Sequence, residues 1–249
     1  MGENRMRRIG ILGGMGPQAT ILLMSKIVAG VDARDDADHV PLLVDSNTQV
    51  PSRIKALIEK TGEDPGPVLV EMARRLEAAG AEALIMACNT AHHFAPLISR
   101  SAQIPFLDMV ALTVDHVAAM RPAADKPMRV GVLASPAVAL TGLFDKPFDD
   151  RHIETVYPAA PDALLRSIKI IKAGAAIDHA ASLFAEAAED LQDCGVDVLL
   201  VACTEFSIIT DRLTCRVPMV DSLDVLANAA IAFSRHGDTQ RSSGIHSGR

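Results

Sequence analysis

Two cysteines of this chain sit in matching surroundings. Cys88 closes the run Ala79-Gly80-Ala81-Glu82-Ala83-Leu84-Ile85-Met86-Ala87 and is followed by Asn89-Thr90. Cys203 closes Cys194-Gly195-Val196-Asp197-Val198-Leu199-Leu200-Val201-Ala202 and is followed by Thr204-Glu205. A glycine stands eight residues before each cysteine, and Ile104-Pro105 through Asp108 is echoed by Val217-Pro218 through Asp221. Matched thiols at the ends of matched apolar runs point to one site built between two halves, with a thiol on each side of a substrate. Inverting a stereocentre by proton transfer needs a base on one face of Cα and an acid on the other. A thiol, with an ordinary pKa near 8.5, is tuned to either role with little effort. A helix starting after each cysteine is expected to favour the thiolate. Asn89, Thr90, Thr204 and Glu205 stand where side chains and backbone N–H groups cradle a carboxylate.

The elements that position these thiols alternate along the chain. Apolar runs at 7–12, 41–44, 82–87 and 104–107 read as short buried strands, with helical patterns at 18–31 and 67–79 between them. The order recurs with strands at 129–133, 153–156, 196–201 and 218–220, a helix at 176–194 and a last helix at 224–235. Even the opening strand repeats, Met6-Arg7-Arg8-Ile9-Gly10-Ile11-Leu12 against Met128-Arg129-Val130-Gly131-Val132-Leu133. Such alternation implies parallel sheets covered by helices, and the repeat implies an α/β fold of two pseudo-symmetric lobes with the active site in the cleft between them. The expected division is an N-terminal lobe over 1–112, to which the helix at 222–236 returns, a C-terminal lobe over 113–221, and a disordered tail over 237–249.

Gly13-Gly14-Met15-Gly16-Pro17 closes the first strand and opens a helix, and it admits three readings. Gly14-Met15-Gly16-Pro17-Gln18-Ala19 satisfies the G-x-G-x-x-A dinucleotide fingerprint, with Asp45 ending the next strand where a ribose-binding acid sits. The glycines also suit a tight turn with positive φ, or a helix N-terminus that holds a carboxylate. The corresponding loop of the second half, Leu133-Ala134-Ser135-Pro136, has no glycine, which weakens the dinucleotide reading.

Composition narrows the classes. The 249 residues carry 49% hydrophobic side chains but 3% aromatics and no Trp, so the core is aliphatic. A net charge of −7 argues against a nucleic-acid or anionic-membrane surface. No run approaches a membrane span or a signal peptide, and four cysteines without a C-x-x-C pair form neither a disulfide framework nor a zinc site. A cytoplasmic protein with reduced thiols is expected, without metal. Cys194 and Cys215 lack matched positions and are read as packing residues. His92 either orients a thiol or serves packing, and the other histidines lack ligand spacing.

Taken together, Gly13-Gly14-Met15-Gly16-Pro17, Ala87-Cys88-Asn89-Thr90-Ala91-His92 and Cys203-Thr204-Glu205 resemble the cofactor-independent aspartate/glutamate racemase superfamily, most of all its aspartate racemase branch. The resemblance covers the chain to about residue 235. It implies a homodimer of two-lobed subunits, a small amino-acid substrate, no cofactor, and proton transfer by Cys88 and Cys203. It also implies that Asn89, Thr90 and Thr204 hold the α-carboxylate, that Met15 lines the cleft, and that Arg53 and Lys172 meet the substrate's second carboxylate. Glu205 matches the aspartate branch, where the glutamate branch has His. Ala202 departs from the glycine common at that position, and His93-Phe94 lie in a variable stretch. Decarboxylases and maleate isomerases of the superfamily use one cysteine, so two thiols favour racemisation. A nicotinamide-dependent oxidoreductase and a non-catalytic amino-acid-binding protein remain the other classes.

Overall fold

The structure, a computed structural model, describes residues 5–121 and 126–236. The expected tail at 237–249 lies outside the described residues. Two parallel sheets, each flanked by helices, organise the chain. The first has the order β2-β1-β3, from β1 (Ile9–Gly13), β2 (Leu42–Ser46) and β3 (Ala83–Met86). The second has the order β5-β4-β6-β7, from β4 (Met128–Ala134), β5 (Ile153–Val156), β6 (Val198–Ala202) and β7 (Met219–Asp221). In both sheets the first strand of the lobe is central and pairs in parallel with the second and third. Strands covered on both faces need apolar side chains at every position, which is why β1, β3 and β6 are buried throughout.

Pleating decides which way the thiols face. Ala83, Ile85 and Ala87 join the core on one face of the first sheet, while Leu84, Met86 and Cys88 join the core on the other. Likewise Val198, Leu200 and Ala202 point to one face of the second sheet, and Leu199, Val201 and Cys203 to the opposite one. The faces carrying the thiols are covered by α2 (Gly66–Ala78) in the first lobe, and by α7 (Pro161–Ala173) and α8 (Ile177–Asp193) in the second.

The glycines before the thiols have a shared cause. Gly80 (φ +94°) and Gly195 (φ +75°) take the left-handed conformation that ends α2 and α8, and their N–H groups bond to the carbonyls of Glu77 and Gln192. Each strand then starts under a carboxylate: Glu82 accepts from the Arg8 N–H, and Asp197 from the Arg129 N–H.

Several features differ from the sequence reading. Residues 104–107 form no strand but a single bridge, Phe106 to Leu84, just after Pro105. Its carbonyl still accepts from Leu84, as that of Pro218 does from Leu199. Besides the short α3 (Ala95–Ser101), α5 (Pro136–Leu140) and α6 (Asp145–Asp149), two longer helices lie outside that reading. The first is α4 (Met109–Ala119), capped by Asp108. The second is α7, whose Leu164, Ile168 and Ile171 mark its buried stripe.

The helix α9 (Ser222–His236) leaves the second sheet and packs Leu223, Leu226, Ala227 and Ala230 against Ile9, Leu23 and Ile27 of the first lobe. The opposite faces of α4 serve both cores: Met109 packs with Ile9, and Val110, Val114 and Val117 with Val130. The expected boundary at 112/113 falls inside this helix. We propose that α4 and α9 together connect two lobes. Among the described residues no helix is long and apolar enough to cross a membrane.

Candidate active site

Cys88 and Cys203 line one cavity of about 120 Å³ between the two sheets. Both thiols are nearly covered, at 6% and 5% exposure. Met15, Arg53 and Thr90 reach this cavity from the first half of the chain, and Lys172 and Glu205 from the second. A neighbouring cavity of about 420 Å³ shares Met15, Ser52, Arg53, Lys172 and Glu205 with it, and spreads over Gly14 to Ala19, Thr48 and Ile208. The inner space lies below the roughly 300–1,000 Å³ typical of drug-sized ligands, and so suits a very small molecule.

Polar groups around the thiols are largely engaged with one another. The Glu205 carboxylate accepts from the Cys203 thiol at 3.2 Å through Oε2, and its Oε1 lies 2.7 Å from Lys172 Nζ. Burial disfavours the charge on Lys172, but Glu205 beside it, helped by the two thiols, holds its pKa above the usual lysine range. Burial first, and then the Glu205 carboxylate, push the Cys203 thiol well up. The expected thiolate-favouring helix start is not found there. Cys203 is followed by the three-residue 3₁₀ turn Phe206–Ile208, too short for an appreciable dipole, and Cys88 by the 3₁₀ segment Thr90–Phe94.

Arg53 donates to the carbonyls of Val50, Pro51 and Met15, with its Nε buried and unpaired. It stands just before the π-helical turn Lys55–Glu59, and π turns often occur at functional sites. The Thr90 and Ser135 hydroxyls are 3.0 Å apart across the two halves, both on the cavity wall. Asn89 and Thr204 are buried and line neither cavity. Asn89 Nδ2 donates to Ser222 Oγ, and the Thr204 hydroxyl to the Ala87 carbonyl.

Behind Cys88 lies His92, buried and outside the cavity. Its Nε2 accepts from the Met109 N–H at 3.2 Å, so Nδ1 carries the proton and donates to the Cys88 carbonyl at 2.8 Å. Burial lowers its pKa, against the pull of Asp108 and of the Cys88 carbonyl, and keeps it neutral. It therefore fixes the thiol's backbone from behind and does not face the cavity.

The glycine loop is explained by the chain itself. Gly14 has φ +87°, and a Cβ there would lie 2.4 Å from the Asn47 backbone. Its N–H is taken by Thr20 Oγ1. Asp45, the acid that a dinucleotide ribose would need, is held by Arg75. The ground for the nicotinamide reading is thereby removed. Cys194, read as a packing residue, is exposed at the end of α8, while Cys215 is half-buried. Among the described residues no cluster of His, Cys, Asp or Glu has metal-binding geometry. Ser52, Ile54, Ser135 and Ile168 line the inner cavity without having been singled out. Ser135 alone had a signal, since it follows β4 where Gly14 follows β1.

Known proteins share this fold. The model of the Asp/Glu/Hydantoin racemase family matches residues 12–230. The Picrophilus torridus aspartate racemase superposes with a TM-score of 0.82 at 30% identity, over 92% of this chain and 94% of that one. The broad-specificity amino-acid racemase RacX of Bacillus subtilis (strain 168) is 23% identical over 229 residues, 90% of this chain and 96% of that protein. The glutamate racemase of Francisella tularensis subsp. tularensis SCHU S4, in complex with D-glutamate, shares the fold at 17% identity and a TM-score of 0.62, over 95% of this chain and 84% of that one. With its matched sheets and the family model spanning nearly its whole length, the chain belongs to the Asp/Glu/hydantoin racemase family.

Proposed function

We propose that the protein is a cofactor-independent amino-acid racemase in which Cys88 and Cys203 exchange the Cα proton of an acidic amino acid, aspartate first. The observation that carries this reading is that two thiols, placed alike at the ends of β3 and β6, line one small cavity. One thiolate takes the Cα proton, forming S–H, while the C–H electron pair spreads into the α-carboxylate. The opposite thiol gives its proton to the other face of the planar carbon and is left as thiolate. Water or buffer restores the starting protonation, and the opposite enantiomer runs the same steps in reverse.

Thr90, on the cavity wall, is assigned to the α-carboxylate. Asn89 and Thr204, engaged behind the wall, contribute through backbone N–H groups or by holding the thiol turns. Arg53 and Lys172 are assigned to the side-chain carboxylate as charge-assisted donors. The aspartate assignment draws support from the 30% identical aspartate racemase. A second reading, a broader amino-acid range, is favoured by the engagement of Lys172 with Glu205 and by the adjoining larger cavity. A homodimer and a cytoplasmic location belong to the same proposal; light scattering on the purified protein tests the former.

The deciding experiment is proton NMR in heavy water with L- and D-aspartate, then glutamate and neutral amino acids, with no cofactor added. Exchange of Cα–H with inversion is expected for aspartate. Arg53→Ala is expected to lower kcat/KM for aspartate by roughly 10- to 100-fold, the worth of a hydrogen bond between charged groups, and to spare neutral substrates. No exchange with any amino acid removes the proposal, and equal losses on both substrate classes remove the role of Arg53.

A further inference from the structure

The Glu205 carboxylate, 6% exposed, has two partners: the Cys203 thiol at one oxygen and the Lys172 ammonium at the other. These partners belong to different tasks in the proposed reaction, since the thiol handles the Cα proton and Lys172 faces the substrate's side chain. We propose that Glu205 is a positioning residue that couples the two tasks, so that a substrate carboxylate drawing Lys172 away leaves Glu205 bound to Cys203 alone and biases that thiol toward its protonated form. The inference rests on the racemase reading of this cavity.

The charges nearby make the coupling one-sided. The titratable groups lining the inner cavity besides Cys203 and Glu205 are Cys88, Arg53 and Lys172. Arg53 is spread over three backbone carbonyls, so the cation in contact with Glu205 is Lys172. While Lys172 stays, it offsets part of the carboxylate's effect on the thiol; Lys172 already pulls the Cys203 pKa down against burial and Glu205. When a second anion shares that ammonium, the carboxylate acts on the thiol with less compensation, and a proton on sulfur is favoured further. A dicarboxylic substrate thereby meets Cys203 protonated more often than not, which favours Cys88 as the base for one enantiomer, while the other enantiomer reacts from the less populated state in which the proton sits on Cys88. A neutral amino acid leaves Lys172 with Glu205 and makes no such assignment.

The test follows alkylation of Cys203 by iodoacetamide against pH, with peptide mapping by mass spectrometry to separate it from Cys88, Cys194 and Cys215. Succinate serves as the dicarboxylate probe, with acetate as the monoanionic control. In the native protein the midpoint of the Cys203 profile is expected to rise by about one unit with saturating succinate, the size of shift that one neighbouring charge produces. Acetate is expected not to move it. Simple blockage by succinate lowers the plateau rate and leaves the midpoint in place. Glu205→Gln is expected to lower the midpoint and to abolish the succinate shift, and Glu205→Asp to restore part of it. A midpoint indifferent to succinate, or a shift that persists in Glu205→Gln, overturns the coupling. Aspartate racemisation measured on the same samples separates the two readings. Turnover with an unmoved midpoint overturns the coupling alone, and a moved midpoint without turnover on any amino acid overturns the racemase reading alone.

Discussion

The turns that carry Cys88 and Cys203 share a backbone plan and differ in the groups that hold them. Each follows the third strand of its lobe, and in each the residue four positions on bonds at the end of the Pro-x-x-Asp stretch. In the first lobe that residue is His92, neutral, bridging the Cys88 carbonyl and the Met109 N–H. In the second it is Ser207, whose hydroxyl donates to the Asp221 carboxylate at 2.8 Å. Burial pushes Asp221 up to about 6, with Leu223 and Ser207 opposing, and one of its oxygens has no hydrogen-bond partner. The second thiol alone also carries a carboxylate directly on its sulfur. The repeat thus preserves where the sulfurs sit while giving them different electrostatic surroundings, so two thiols alike in position need not be alike in proton affinity.

The strongest way to break this comparison is to remove each thiol. Cys88→Ala and Cys203→Ala are each expected to reduce racemisation by about 10²- to 10⁴-fold, the usual contribution of a general acid or base, with the thermal unfolding midpoint little changed. Inversion surviving in either variant, followed by polarimetry, would end the pairing.

The clamps behind the thiols should differ in sign with pH. Asp221 binds its proton more tightly folded than unfolded, so stability is lost as pH rises from about 3.8 to about 6. Asp221→Asn, which keeps an acceptor for Ser207, is expected to stabilise the protein by roughly 2–3 kcal/mol at pH 8 and by almost nothing at pH 4, as read by urea unfolding. His92 runs the other way: its lowered folded pKa makes its contribution full above the unfolded value of 6.5 and lost as pH falls below it. His92→Phe is expected to cost about 1–3 kcal/mol at pH 8, because a buried carbonyl and N–H lose their partner, and less at pH 5. Parallel pH trends in the two variants would show that the clamps are equivalent after all.

The smallest effect is in the native kinetics. Enantiomers have equal free energies in water, so kcat/KM must be the same in both directions. Unequal thiols can appear only as a few-fold difference in kcat between L- and D-aspartate matched by the same factor in KM. Initial-rate polarimetry from each side measures it, and equal kcat values across pH 6–9 would mean that the two surroundings balance.

The repeat made much of this legible beforehand. Eight-residue spacing from Gly to Cys located both strand ends, and pleating then dictated the faces on which the thiols lie. The cap glycines and the strand alternation are local, and local physics reads well from sequence. What the sequence did not disclose were partnerships over long separations. Nothing local ties Lys172 to Glu205, Asn89 to Ser222 or Thr90 to Ser135. The helix carrying Lys172 was missed because Gly174-Ala175-Ala176 blurs it into its successor, although Leu164, Ile168 and Ile171 mark a face. The Cys203 thiol was expected to be acidified by a helix and is instead pushed up by its burial and by a carboxylate two residues away, a charge effect that type and spacing do not encode.

The return of α9 has a consequence for the growing chain. Ile9, Leu23 and Ile27 find part of their cover in Leu223, Leu226 and Ala230, side chains about two hundred positions later in synthesis. At the usual 5–20 residues per second, that apolar face waits on the order of ten seconds or more for its last layer. An emerging first lobe is therefore a natural client for chaperones, and shortening the chain before Ser222 should cost solubility in the half of the molecule made first.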